Sequence, residues 1–187
     1  MARSTNNVLT RNYSGKVAGQ YVLRTRGNKS IIAGLPAKNE RVASPKQEII
    51  RRKFALSVIY AKKALTNPEL KDAYNAVTKG NQTSFNVALL DAFRAPEISN
   101  FRSEGFAGAA GQFLIVQAID NFRVTRVSFG LYAPDGTLLE EGDAIMDENG
   151  YDWIYTTKSE IPSPAGTHIR ISAEDIPKNR TLLEVVI

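Results

Sequence analysis

The sequence predicts an α+β chain in three parts: an N-terminal arm and β-hairpin (residues 1–43), a small three-helix bundle (44–96) and a C-terminal antiparallel β-sandwich (97–187). Three observations carry this. A Gly-Asn pair separates two β-prone runs near the N-terminus. Apolar residues then recur with helical period between Pro45 and Pro96. Beyond Pro96, short runs rich in β-branched and aromatic residues alternate with turn signals at regular spacing. The 187 residues are enough for one medium domain or two small ones.

Residues 1–15 are polar and poorly patterned and read as an extended arm. Tyr21, Val22 and Leu23 then precede Arg26-Gly27-Asn28-Lys29, and Ile31, Ile32 and Ala33 follow. Gly and Asn tolerate the backbone angles of a tight hairpin turn. A lone hairpin is marginal in water, so this one should lie on the helices, the second domain or another subunit. Residues 36–46 form a proline-containing connector, and Ser44-Pro45 supplies a cap and a first-turn proline for a helix running to about Leu65. Ile50, Phe54, Val58, Ala61 and Leu65 fall on one arc of that helix, with Arg51, Arg52, Lys62 and Lys63 flanking the other side. Thr66-Asn67-Pro68 ends it and opens a second helix carrying Leu70, Ala73, Tyr74 and Val77, closed by Gly80. A third helix places Phe85, Leu89, Ala92 and Phe93 on one side, up to Ala95-Pro96. These stripes pack together as a bundle.

Strand runs are expected at 112–119, 123–133, 137–146, 151–157, 167–173 and 180–187, with a weaker one through 98–106. Turn signals separate them: Asp120-Asn121, Pro134-Asp135-Gly136, Asn149-Gly150 and Pro177-Lys178-Asn179, and the Pro/Gly-rich stretch 162–166. Val127, Phe129, Leu131 and Ala133 alternate with Arg126, Ser128, Gly130 and Tyr132, so one face of that strand is buried.

Composition narrows function. There is no Cys and one His among 187 residues, which excludes disulfides, thiol nucleophiles, cysteine metal sites and polyhistidine sites, and argues against an enzyme. No cofactor is expected. No run approaches a membrane span, and the first 20 residues do not read as a secretory signal. The net charge of +5 conceals a polarity: residues 1–64 hold 14 basic and 2 acidic side chains, net +12, and the remainder 10 basic and 17 acidic, net −7. Such a basic segment can bind nucleic acid phosphates, or the acidic part of a neighbouring copy.

Residues 120–187 resemble the bacterial immunoglobulin-like domains. The matching features are DNFRVTRVSFGLYAPDGTLLEEG, the aromatic strand YDWIYTT, and AGTHIRISAEDIPKNRTLLEVV with its D-x-x-x-N turn. The resemblance implies an Ig-like sandwich without disulfides, of a kind found in cell-surface proteins and in structural proteins of tailed phages. The N-terminal part resembles an uncharacterised bacterial family with a G-K-V-x-G opening and a basic hairpin. Gly15-Lys16-Val17-Ala18-Gly19, Arg24-Thr25-Arg26-Gly27-Asn28-Lys29, Leu35-Pro36-Ala37-Lys38 and the basic helix through Phe54 carry it. It brings no catalytic residues.

His168 shares a strand with Ile169 and Ile171 but points with Arg170 to the other side, so it reads as an exposed strand histidine rather than a base. Glu140, Glu141, Asp143, Asp147 and Glu148 could be read as a calcium site with Asp120 as an extra ligand, but the EF-hand spacing is absent and neighbouring strand residues face opposite ways; no metal is assigned. Gly105, Gly108 and Gly111 do not form a phosphate loop and read as a plain loop. Tyr151, Trp153 and Tyr155 could form a sugar platform, although such aromatics are more often core.

The leading expectation is therefore a non-enzymatic structural protein that self-assembles into a repeated array, such as a virion or other surface assembly. It would dock through basic residues Arg24, Arg26, Lys29, Arg51, Arg52, Lys53, Lys62 and Lys63, and through strand addition at Tyr21, Val22, Leu23, Ile31 and Ile32. Its partners would be further copies or a larger protein assembly, and its location a virion or extracellular assembly. The alternative is a cytoplasmic nucleic-acid-binding module with an accessory sandwich, although no helix-turn-helix, zinc finger or ribonucleoprotein motif is present. On either reading, the basic arm gains its order from another molecule.

Overall fold

A computed structural model describes residues 2–5, 13–26, 29–35 and 42–187. The chain is mixed α+β, with three helices and three antiparallel four-stranded sheets among the described residues.

The first sheet comprises β1 (Ala2–Thr5), β2 (Gly15–Val17), β3 (Tyr21–Arg26) and β4 (Lys29–Gly34), in the order β1-β4-β3-β2. The expected hairpin is present: β3 and β4 pair from Tyr21↔Gly34 to Arg26↔Lys29. The two residues of its tight turn lie outside the described residues. The arm is not simply extended away. Its first strand adds to β4 (Ala2↔Ile32), and β2 adds to β3 (Gly15↔Leu23). This corrects the strand-addition expectation. Tyr21, Val22, Leu23, Ile31 and Ile32 lie on the two central strands and are paired on both sides by the chain's own β1 and β2. Among the described residues, the edge strands of this sheet are β1 and β2.

Three helices follow: α1 (Pro45–Ala64), α2 (Pro68–Ala76) and α3 (Ser84–Phe93). Ser44 caps α1 in a reciprocal box with Gln47, and Pro45 occupies the first turn. Asn67 caps α2 and Thr83 caps α3. Their shared core is Ala61, Ala64, Tyr74, Val87 and Ala88, with Tyr60, Leu65, Leu70, Phe85 and Leu89 packed around it. The α1 stripe is covered only along its C-terminal half: Ala61 is fully buried, whereas Ile50 and Phe54 are 56% and 50% exposed. At 1.5 Å per residue α1 is about 30 Å long and α3 about 15 Å; α3 ends at Phe93, whose ring meets Phe54 edge-on with centroids 6.4 Å apart, so the stripe is only partly covered there.

The remaining strands are β5 (Glu97–Arg102), β6 (Phe113–Ile119), β7 (Val124–Tyr132), β8 (Leu138–Asp143), β9 (Ile145–Met146), β10 (Asp152–Thr156), β11 (His168–Asp175) and β12 (Arg180–Val186). They form sheets of order β5-β6-β10-β9 and β12-β11-β7-β8. The run expected over 137–146 divides at Ala144, whose N–H donates to the Val127 carbonyl while β9 passes to the other sheet. Both sheets contribute to one core: Leu114, Val116, Ala118, Trp153 and Tyr155 from the first, and Val127, Phe129, Leu131, Ile169, Ile171 and Ala173 from the second. Phe129 stacks on Tyr155 with ring centroids 5.2 Å apart. Period-2 alternation therefore reads correctly on β7 and β11.

Burial of Trp153 and Tyr155 removes the sugar-platform reading, leaving only Tyr151 of the three exposed. Glu140 is buried as well. Its carboxylate accepts from the Tyr155 hydroxyl (3.1 Å) and from the backbone N–H groups of Lys158 (3.0 Å) and Ser159 (2.8 Å), so it fastens the segment after β10. The 105–111 loop has a packing constraint at Gly108, which is buried at φ +87°; a Cβ there would overlap the Ile161 carbonyl oxygen.

Candidate functional site

Two places concentrate unusual chemistry: the basic N-terminal third, and a buried junction between the helices and the two-sheet unit.

Arg24, Arg26 and Lys29 stand exposed on β3 and β4, and Arg51, Arg52, Lys53, Lys62 and Lys63 stand exposed on α1. Arg26 lies directly opposite Lys29, a like-charge cross-strand pair that weakens the sheet unless an anion sits nearby. The five ion pairs among the described residues all lie between residues 102 and 184, and none engages these eight cations. Lys53 instead lies 5.2 Å above the Phe93 ring. Among these charges α1 exposes Ile50 and Phe54 on the stripe side and Ile49, Leu56 and Ile59 on the opposite side. The β2–β4 strands hold no buried residue, and neither apolar core takes a residue from them. Sequence reading finds these cations and the Ile50–Phe54 stripe. It does not find how far the stripe is covered, because that depends on where α3 ends against α1, at the edge-on contact of Phe93 with Phe54.

At the junction, Tyr74 of α2 packs on Phe122 with centroids 4.5 Å apart. Asn179, in the β11–β12 turn, offers its Nδ2 to the carbonyl oxygens of Asp91 (3.2 Å), Ala92 (3.4 Å) and Arg94 (3.2 Å) at the end of α3, and to Asp175 Oδ2 (2.7 Å). Thr181 Oγ1 donates to the Pro96 carbonyl. Here Asp91 of α3, Asp120 of the β6–β7 loop and Asp175 at the end of β11 each bring a carboxylate oxygen within 4.8 Å of the other two. Asp91 and Asp175 are fully buried and Asp120 is half-buried. Asp91 Oδ2 accepts from the Tyr74 hydroxyl (2.5 Å), which in turn lies 3.1 Å from the Tyr60 hydroxyl; Asp91 Oδ1 is enclosed and has no hydrogen-bond partner. Asp120 Oδ2 accepts from the N–H groups of Phe122 and Arg123, and Asp175 Oδ1 from the N–H of Asn179. Burial pushes the Asp91 carboxyl up to about 7, with the Asp120 and Asp175 carboxylates adding to it and the Tyr74 hydrogen bond opposing it. Burial likewise raises Asp175.

Asp120 thus meets other carboxylates, but not those of the β8–β9 stretch proposed as its companions; they come from α3 and β11. Asp91 was missed. Its signal is a carboxylate within the apolar run Val87-Ala88-Leu89-Leu90-Asp91-Ala92-Phe93, on the same helix face as Val87 and Ala88. His168 is exposed beside Arg170 as expected. An open hollow of about 380 Å³ on the outer face of β7, β8 and β11 is lined by Arg126, Asp143, Lys158 and Arg170. Both arginines there are already paired, Arg126 to Asp143 at 2.7 Å and Arg170 to Glu184 at 2.8 Å.

The fold defines the chain as a mixed α+β protein whose helices abut two antiparallel sheets. No family model matches it, and no curated protein matches it. One solved structure, an engineered protein from a structural-genomics programme, is similar over 55% of this chain at 15% identity with a TM-score of 0.35. The match takes in 26% of that structure's own length, and the likeness is too slight to carry an argument.

Proposed function

We propose that this chain is a non-enzymatic structural protein that self-assembles into a repeated array, such as a virion or surface assembly, through its basic N-terminal third. The carrying observation is an uncovered surface. The β2–β4 strands have no buried residue, and α1 exposes five large apolar side chains among cations that form no ion pair among the described residues. Strands without a buried residue, as β2–β4 are, are marginal alone, and large apolar side chains exposed among charges suit a protein partner. The −7 charge of residues 65–187 gives a second copy the complementary sign. Contacts between different patches of identical chains extend into rings or filaments. The open edges β1 and β2 offer strand addition in place of the central strands.

The Ig-like reading of residues 97–187 belongs to this proposal. Strand orders β5-β6-β10-β9 and β12-β11-β7-β8 follow the A-B-E-D and G-F-C-C′ orders of immunoglobulin sheets, which supports it. The alternative, nucleic-acid binding, draws on the Arg26/Lys29 pair, which favours an anionic neighbour.

Sedimentation of the full chain at low and high salt, beside an Ile50→Glu/Phe54→Glu variant, tests the proposal. Wild-type chains should associate at low salt, and the variant should remain monomeric. A wild-type monomer at high concentration in low salt removes the proposal. Steep salt-dependent affinity for duplex DNA, lost when Arg51, Arg52, Lys62 and Lys63 are charge-reversed, would install the alternative in its place.

A further inference from the structure

The Asp91–Asp120–Asp175 junction is independent of the assembly surface and is unusual in its own right. Three carboxylates from three separate elements converge where two are fully buried. Enclosed carboxylates are tolerated when cations, protons or metals compensate them. The charged neighbours that act on Asp91 and Asp175 are carboxylates, and the nearby cations Lys178 and Arg180 are both held by Glu174, at 2.7 and 2.6 Å. A second observation points to a ligand. Oδ2 of Asp91 is taken by Tyr74, Oδ1 is enclosed without a donor, and the Asp91 carboxyl lies within hydrogen-bonding reach of the Asp120 carboxylate.

We infer that Asp91, Asp120 and Asp175 form a divalent-cation site that takes calcium and locks the helices onto the two-sheet unit.

The donor set consists of hard oxygens, which suits calcium or magnesium and not softer metals. Three carboxylate oxygens within 4.8 Å of one another fall inside the diameter of a calcium shell, about 4.6–5.2 Å, and calcium's flexible geometry suits ligands held by three separate elements better than the strict octahedron of magnesium. The backbone N–H groups of Phe122, Arg123 and Asn179 and the Tyr74 hydroxyl orient the carboxylates from outside. Because α3 supplies one ligand while the β6–β7 loop and β11 supply the others, occupancy ties together parts that otherwise meet through Phe122, Asn179 and Thr181.

The test uses the full chain freed of metal with EDTA and then supplied with calcium, magnesium or terbium chloride. Calcium at about one hundred times its dissociation constant should raise the melting temperature by about 5–10 °C. Terbium should give luminescence sensitised through the tyrosine pair Tyr60/Tyr74, quenched by added calcium. Asp120→Asn, in the half-buried loop position, should weaken calcium binding at least tenfold; Asp91→Asn should abolish it while raising the melting temperature of the metal-free protein at pH 8. The same melting temperature with and without 5 mM calcium, or a terbium signal unaffected by Asp120→Asn, would overturn the inference. A response to magnesium equal to that to calcium would overturn the assignment to calcium. Terbium luminescence of the wild-type chain decides the matter even if a variant fails to fold.

Discussion

Replacing Asn179 with Ala should loosen the helices from the sheets. The Asn179 amide has two hydrogens and faces four acceptors, so it serves two at a time: the Asp175 carboxylate at 2.7 Å and one carbonyl at the end of α3. The first is a charge-assisted hydrogen bond, worth about 1.5–3 kcal/mol, and the second about 1 kcal/mol. The expected loss is therefore about 2–4 kcal/mol. The backbone bond from Asn179 N to Asp175 survives the change, so the turn itself should persist. Asn179→Asp should be worse than Ala, because it sets a negative charge against Asp175 and against the negative end of the α3 dipole. Urea unfolding read by two probes tests this: far-ultraviolet circular dichroism for the helices, and fluorescence of Trp153, the single tryptophan, for the sheets. In the wild type the two curves should coincide. In Asn179→Ala the helical signal should move to lower urea and separate from the tryptophan signal. A loss below about 0.5 kcal/mol with coincident curves would refute the view that this side chain couples the two regions.

Two further expectations concern stability. Gly108→Ala combines a positive φ with overlap on the Ile161 carbonyl and should cost about 2–4 kcal/mol, whereas Gly105→Ala, at φ +81° with open space around it, should cost about 1 kcal/mol; equal losses in urea would disprove the packing argument. Lys178 and Arg180 hold the Glu174 carboxyl below the usual range, so its contribution is present above the unfolded carboxylate pKa and disappears as pH falls through the lowered folded value. Glu174→Gln should accordingly be less stable than wild type at pH 7, with the gap closing below about pH 4; a gap that is constant with pH in thermal melts would refute the ion-pair account.

Local rules made much of this molecule legible. Ser44-Pro45 announces the start of α1 because a capping hydroxyl and a proline without an N–H satisfy the first turn whatever lies nearby. Val127, Phe129 and Leu131 announce the inner face of β7 because alternation is built into the strand. The same rules fail where the answer depends on a distant segment. Ile50 and Phe54 carry the period of a buried stripe, yet they stay half exposed because cover on α1 runs out at the end of α3, where only the Phe93 ring meets Phe54 edge-on. Tyr21–Leu23 and Ile31–Ile32 look like edges of a hairpin, yet the arm returns to cover both edges. Glu140 looks like one of several surface acids, yet it is consumed by Tyr155, Lys158 and Ser159.

The sequence by itself determined the order and kind of the elements, the polarity of charge between residues 1–64 and the rest, and the exclusion of cysteine chemistry. Those follow from near-neighbour preferences and from composition, which need no knowledge of the fold. Only the tertiary structure decided that Asp91, Asp120 and Asp175 meet and that half of α1 is left uncovered. Residues 29 and 55 positions apart along the chain share an environment only after helices and sheets have packed, and no spacing rule encodes that separation.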